Sequence, residues 1–299
     1  MKALVTGGSG FIGSYLVKFL SNEGIEAYGP TYKDCDVRKA KDLEKWLKKT
    51  RPNFIFHLAA QSFPTISYTN PRLTFDVNVF GTIALFECIR KLEIDTKVVV
   101  ACSSAEYGLV KENEVPVNEE HPLLPVHPYG VSKVAQDLLA YQYYKNYGIK
   151  AIRARIFNTT GPGKENDVCA DFTYGVAEIE KGKRKKMYVG NLEPKRDITD
   201  VRDMVKALWL SALKGKDGEA YNLCSSKAIG IKEILEKAIS LSNKKIEYEI
   251  DKRKLRPTDE PIILGDNRKF CSATGWKPEI SIEKTLKDML NYWRGKIKK

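Results

Sequence analysis

Tyr129 and Lys133 stand four residues apart in Pro128-Tyr129-Gly130-Val131-Ser132-Lys133. On a helix that spacing puts a phenol and an ammonium on one face. A free tyrosine has a pKa of ~10 and carries protons poorly at neutral pH. A nearby lysine cation, joined by the charge of an oxidised nicotinamide, is expected to lower that value toward the working range. A third group is Ser103, in Val100-Ala101-Cys102-Ser103-Ser104-Ala105-Glu106-Tyr107-Gly108, where the chain leaves the C-terminal end of a predicted strand. Ligands bind at that edge of an open parallel sheet. A hydroxyl there can polarise a carbonyl oxygen while Tyr129 protonates it, so the three groups suit carbonyl–alcohol interconversion against a nicotinamide.

The dinucleotide itself has a candidate cradle in Val5-Thr6-Gly7-Gly8-Ser9-Gly10-Phe11-Ile12-Gly13. Glycines at 8, 10 and 13 fit G-x-G-x-x-G, and those at 7, 10 and 13 fit G-x-x-G-x-x-G. Such a loop between a strand and a helix lets backbone approach a pyrophosphate while the helix N-terminus faces its charge. The cofactor set is therefore Gly7, Gly10, Phe11, Ile12 and Gly13. An NAD site usually places a carboxylate about 20 residues further on, at the end of the second strand. Here the chain reads Pro30-Thr31-Tyr32-Lys33, with no acid before Asp34. Thr31 and Lys33 are thus expected to hold a 2′-phosphate, which favours NADP(H) and leaves NAD(H) open. Asp36-Val37 reads as a strand end, from which Asp36 would accept a hydrogen bond from the adenine amino group.

These groups need a frame. Residues 2–6, 25–29, 54–58, 97–103 and 150–156 read as strands whose apolar runs do not alternate, as in sheets covered on both faces. Helical patterns over 11–23, 40–49, 73–92 and 129–147 separate them. The prediction is an α/β fold: a Rossmann-type doubly wound parallel sheet over 1–160. After Gly161-Pro162-Gly163 the pattern loosens, with helices near 170–181, 200–214, 230–242 and 281–294. Residues 161–299 are read as a smaller substrate-binding domain, with elements around 191–223 rejoining the main sheet.

Lys plus Arg number 50 against 38 for Asp plus Glu, giving a formal charge of +12. A cleft for phosphate-bearing small molecules accounts for that excess as well as nucleic acid would. The densest basic run, 181–186, lacks interleaved aromatics and reads as a solvated loop, so no nucleic-acid partner is expected. Six scattered cysteines without a C-x-x-C, and three histidines, argue against zinc and against a disulfide framework. No metal is expected. No apolar run approaches the ~20 residues that span a bilayer, so no membrane partner is expected and the cytosol is the expected compartment.

Further stretches carry a resemblance. They are His57-Leu58-Ala59-Ala60-Gln61-Ser62, Asn78-Val79-Phe80-Gly81-Thr82 and Arg155-Ile156-Phe157-Asn158-Thr159-Thr160-Gly161-Pro162-Gly163. Two more are Gly190-Asn191-Leu192 with Arg196-Asp197-Ile198-Thr199-Asp200-Val201-Arg202-Asp203, and Leu255-Arg256-Pro257-Thr258-Asp259-Glu260. With the motifs above, essentially the whole chain resembles an extended short-chain dehydrogenase/reductase of the sugar-nucleotide-modifying branch. The last two stretches are most similar to reductases of GDP-4-keto-6-deoxy-mannose.

The resemblance implies that Ser103, Tyr129 and Lys133 are the catalytic trio. It implies that Leu58, Ala59 and Ala60 line the nicotinamide ribose and that Asn78 supports the nicotinamide side. Ser104 joins Ser103 beside the sugar, Asn158 meets the sugar diphosphate, Arg196 and Arg256 clamp phosphates, and Asn191 and Glu260 contact nucleotide or ribose. His57 is read as a packed core residue. The branch also implies a homodimer through the helices near 71–93 and 129–147.

Members of this branch include dehydratases, epimerases and ketoreductases. The dehydratase pattern has Glu two positions after the hydroxyl residue, where it helps to eliminate water. Here that position is Ala105, and Glu106, in an extended segment, would point to the opposite face. The expected reaction is NADPH-dependent reduction at C4 of a GDP-linked, or other nucleoside-diphosphate-linked, 4-keto-6-deoxy-hexose, giving GDP-D-rhamnose. A GDP-mannose 4,6-dehydratase and a 4-epimerase are the alternatives. A silent dinucleotide sensor and an RNA-binding module are disfavoured by the intact trio and the missing RNA-binding aromatics.

Overall fold

The computed structural model describes residues 1–254 and 260–298. Its first half runs β1 (Lys2–Thr6), α1 (Phe11–Asn22), β2 (Glu26–Tyr28), α2 (Ala40–Thr50), β3 (Phe54–His57), α3 (Pro64–Thr69) and α4 (Pro71–Phe75). A π-helical turn over Asp76–Phe80 leads to α5 (Gly81–Lys91), β4 (Lys97–Ser103), α6 (Pro128–Tyr147) and β5 (Ala151–Ile156). The second half runs β6 (Asn158–Thr160), α7 (Val168–Glu180), β7 (Met187–Val189), β8 (Lys195–Asp200), α8 (Val201–Lys214) and β9 (Ala220–Leu223). It ends with β10 (Ala228–Gly230), α9 (Ile231–Ser240), β11 (Tyr248–Ile250), β12 (Ile262–Ile263), α10 (Arg268–Thr274) and α11 (Ile282–Lys296).

Six parallel strands form the main sheet in the order β2-β1-β3-β4-β5-β9. Side chains alternate across each strand, and both faces are covered. Ala3 and Val5 of β1 pack with Leu16 and Leu20 of α1 and with Met204 and Leu208 of α8. Leu4, between them, faces the other layer, with Leu43 and Leu47 of α2, Leu85 of α5 and Ala140 of α6. Strand order reverses at β1, so the carboxyl ends of β1 and β3 open a crevice, the place where such sheets hold ligands. A second core joins α7, α9 and α11 beneath β7, through Val176, Ile234, Leu235, Leu286 and Met289. The parallel pair β7–β11 and the small sheet of β6, β8, β10 and β12 complete this half.

Three expectations need correction. The helix predicted over 73–92 is broken: α4 gives way to the π-helical turn before α5 begins. The Thr82 hydroxyl donates to the Asn78 carbonyl at 2.6 Å, and the buried Asn78 side chain bonds Gln61 N, Gln61 O and Ser132 Oγ. A side chain competing for a helical carbonyl widens the turn. Asp36-Val37 ends no strand; it lies in the loop before α2, where the Asp36 amide donates to the Asp42 carboxylate at 3.1 Å. The short helices α3 and α10 were not anticipated, being too brief for a periodic pattern. All six cysteines are free thiols. Among the described residues no helix is long and apolar enough to cross a membrane.

Candidate active site

Ser103 ends β4 in extended conformation, and the chain then tightens into a single 3₁₀ turn, Ser104–Glu106. Ser103 Oγ accepts from the Ala105 amide at 3.2 Å, while the Glu106 carboxylate reaches back to the Ser103 amide at 2.7 Å. This reciprocal cap satisfies the donors of the turn. The expectation that Glu106 sits in an extended segment is therefore overturned: the turn folds it inward, and it is fully buried behind the serine.

The helix that carries Tyr129 starts at Pro128, where a missing amide hydrogen is harmless. His127 Nδ1 caps it by accepting from the Gly130 amide at 2.9 Å, and the His127 ring stacks on Tyr129 with centroids 5.9 Å apart. A Cβ on Gly130 would stand 2.6 Å from the Ala105 carbonyl oxygen, so only glycine lets α6 close on the serine turn. One helical turn on, Lys133 is buried; its Nζ donates to Ala101 O at 2.8 Å and to Gln136 Oε1 at 2.7 Å. That nitrogen stands 5.7 Å from the centroid of the Tyr129 ring.

Desolvation governs the charges here. Burial pushes the Tyr129 phenol up to about 12, with the hydrogen bond to Ser103 pulling it back. The expected lowering does not appear: burial dominates, and Glu106 and Cys102 push the phenol the same way. Burial likewise pushes Lys133 down to about 8, opposed by Cys102 and Glu106. His57 is a core residue, as expected: its ring bridges Thr6 Oγ1 at 2.8 Å and Thr82 Oγ1 at 3.0 Å, and burial holds it down at about 3.

A cleft of about 2300 Å³ runs across these groups. Gly7, Gly10, Phe11, Ile12 and Gly13 line one end, with Asp36 and Val37. Leu58, Ala59 and Ala60 follow, then Ser103, Ser104, Tyr129 and Lys133. Asn158, Asn191, Arg196 and Glu260 line the other end. The Asn158 amide donates to Asp197 O at 3.2 Å and Arg196 Nη1 to Glu260 O at 2.7 Å. Arg256 lies outside the described residues.

Thr31 and Lys33 do not line the cleft; the Thr31 hydroxyl is taken by Asp34 at 2.6 Å. Asn78 stands behind the lining, orienting Gln61. The basic run 181–186 is not wholly a solvated loop, since Arg184 lines the cleft. Three residues in or near the cleft were missed. Arg38 grips the Asp36 carboxylate through Nε at 2.9 Å and Nη2 at 2.6 Å, and a cation two places after an acid was the available signal. Lys164 lines the cleft with its ammonium 5.0 Å from the Phe11 ring centroid. Asp197 is buried and accepts from Ser225 N, Ser225 Oγ, Ser226 N and Gly265 N at 2.6–3.3 Å, tying β8 to two loops.

The residues at the glycine end fit a dinucleotide. Helix α1 opens at Gly10 with no side-chain cap and no acid in its first turn, leaving its amides for an anion. A Cβ on Gly13 would lie 2.2 Å from Gly7 O, so the helix seats against the loop only with glycine there.

Comparison with known proteins gives the following. The family model described as GDP-mannose 4,6 dehydratase matches residues 29–289. GDP-6-deoxy-D-mannose reductase of Pseudomonas aeruginosa is 29% identical over 99% of this chain and 98% of its own length. GDP-mannose 4,6 dehydratase 1 of Arabidopsis thaliana is 31% identical over 97% of this chain and 88% of its own. The solved structure of RMD from Pseudomonas aeruginosa complexed with NADPH superposes with a TM-score of 0.93 at 28% identity, covering 99% of both chains.

Proposed function

The chain belongs to the GDP-mannose 4,6-dehydratase family, an enzyme family of nucleotide sugars and nicotinamide cofactors, and from that premise we propose that it is a 4-ketoreductase. Its substrate is GDP-4-keto-6-deoxy-D-mannose and its product GDP-D-rhamnose. One observation carries this choice within the family: of the turn after β4, Ser103, Ser104 and Ala105 face the cleft while the Glu106 carboxylate does not. Elimination across C5–C6 needs a further acid/base group beside the trio. Ala105 cannot supply one, and Glu106 is fully buried outside the cleft lining, with one oxygen on the Ser103 amide.

Reduction needs only what is present. A bound reduced nicotinamide supplies the hydride. Tyr129, held protonated by its raised pKa, donates its proton to the C4 oxygen. The Ser103 hydroxyl hydrogen-bonds that oxygen and polarises the carbonyl. Lys133 has two of its three N–H groups committed to Ala101 and Gln136, and the third would serve to hold a cofactor ribose hydroxyl. Asn158 and Arg196 hold the sugar diphosphate.

Arg38 supports NADPH over NADH. Both oxygens of Asp36 are engaged by its guanidinium, which leaves a cation, not a free carboxylate, at the adenosine end. Exposed Phe80, Val131, Leu138, Tyr141 and Tyr147 on and beside α5 and α6 support a homodimer through those helices. The deciding assay is NADPH oxidation with GDP-4-keto-6-deoxy-D-mannose. Conversion of GDP-mannose without added NADPH would make the enzyme a dehydratase.

A further inference from the structure

Behind the Ser103 turn lies a buried cluster of charge that none of the steps above employs. Glu106 and Asp137 are both fully buried, and Cys102 Sγ lies within 4.8 Å of an oxygen from each. Arg155 enters from β5, its Nε 2.9 Å from Asp137 and 3.5 Å from Glu106. Arg153 meets the other Asp137 oxygen at 2.6 Å. Asp137 thus has two guanidinium partners, and Glu106 shares one.

Glu106 Oε1 accepts the Ser103 amide at 2.7 Å, but Oε2 is buried and has no hydrogen-bond partner among the described residues. A buried carboxylate oxygen without a donor favours the protonated form. Burial first, then the Asp137 charge, push Glu106 up to about 8, while Arg155, the Ser103 amide and Lys133 draw it down.

Lys133 approaches the same turn from α6. Around its ammonium are Ala101 O, Gln136, the Cys102 thiol, the Tyr129 ring and, from β3, the neutral His57. Charge on Cys102 or Glu106 would favour the cation. Burial holds the Cys102 thiol far above its usual range, so it stays neutral and Glu106 is the group able to supply that charge.

We propose that Glu106 is a positioning residue: its carboxylate fixes the Ser103 turn from behind and, on ionising, keeps Lys133 cationic, so that the two groups together set the alkaline limit of turnover. The inference rests on Ser103, Tyr129 and Lys133 being the reacting groups; Glu106 touches neither substrate nor cofactor. As pH rises, a proton leaves Glu106 for solvent, and the charge left behind raises the pH at which Lys133 loses its own.

Glu106→Gln keeps an oxygen for the Ser103 amide and removes the charge. Its alkaline limb of kcat should move to lower pH by about one unit, as expected for losing one nearby opposite charge, with KM for the sugar nucleotide little changed. Glu106→Asp keeps the charge on a shorter arm; it should retain the limb while lowering kcat, and it serves if the glutamine variant does not fold. A limb that stays in place in Glu106→Gln overturns the proposal. A second readout needs no substrate. In the infrared difference between the enzyme and Glu106→Gln, the carboxylic-acid C=O band should vanish as pH rises through about 8. A band absent or unchanged across that range overturns the ionisation of Glu106 even if no sugar nucleotide is turned over. A band that titrates without turnover removes the ketoreductase reading alone.

Discussion

Lys133 Nζ stands 5.7 Å from the centre of the Tyr129 ring, one turn along α6, and both side chains open onto the cleft that the glycine loop begins. The phenol is the proton donor of the proposed reduction. Tyr129→Phe should therefore cut NADPH oxidation by at least about 100-fold, the usual worth of general acid catalysis. NADPH affinity, followed by quenching of protein fluorescence, should hardly change. Loss of affinity in step with turnover would instead make Tyr129 a binding residue.

The Arg38–Asp36 pair at the adenosine end yields a second test. Arg38→Ala should lower the preference for NADPH over NADH in kcat/KM by about 10- to 100-fold, the worth of a charged hydrogen bond to a phosphate. An unchanged ratio would place the source of any preference elsewhere. Lys33→Ala should leave the ratio unchanged, since Lys33 does not line the cleft.

Buried His57 makes stability sensitive to acid. Its folded-state pKa is depressed to about 3, so the folded chain refuses a proton that the unfolded chain accepts below ~6.5. The contribution is intact above ~6.5 and is lost progressively as pH falls through that value. Between pH 7 and pH 5 the loss should be about 2 kcal/mol, read from urea unfolding midpoints. His57→Asn should flatten this part of the profile.

Gly13→Ala would drive a methyl to within 2.2 Å of Gly7 O. The loop and α1 must separate to admit it, at a cost of about 1–3 kcal/mol. Dinucleotide binding should fall more steeply than the melting temperature, because the same amides that move are those aimed at the pyrophosphate. A variant that binds NADPH normally would show that the loop tolerates the shift.

Much of the site was legible because its signals are local. Glycines between a strand and a helix, a Tyr–Lys pair four apart and a serine at a strand end announce themselves without knowledge of neighbours, and the cleft gathers all three. The unread parts depend on residues far apart in sequence. Tyr129 is raised, not lowered, because desolvation depends on what packs around the cleft floor. Nothing local marks Asp197, because its four donors come from residues 225, 226 and 265. The resemblance puts Asn78 on the nicotinamide side, but its bonds to Gln61 and Ser132 join residues 17 and 54 positions away and carry no local signal. An extended chain and the 3₁₀ turn both keep Glu106 out of the cleft, but only the turn buries its carboxylate against the Ser103 amide.

Strand β9 reaches the edge of the main sheet only after the chain has passed through the second half, and there it pairs with β5 from Arg153 to Ile156. Helix α8, which covers Val5 and Phe56, arrives by the same detour. A fragment stopped at residue 160 would thus be no free-standing cofactor module. It would present a raw β5 border and a bare apolar floor, the two features that recruit strands from other molecules. Dissecting the protein by proteolysis or gene truncation should give aggregates, and swapping substrate specificities between relatives will require exchanging loops in place instead of grafting one half onto another.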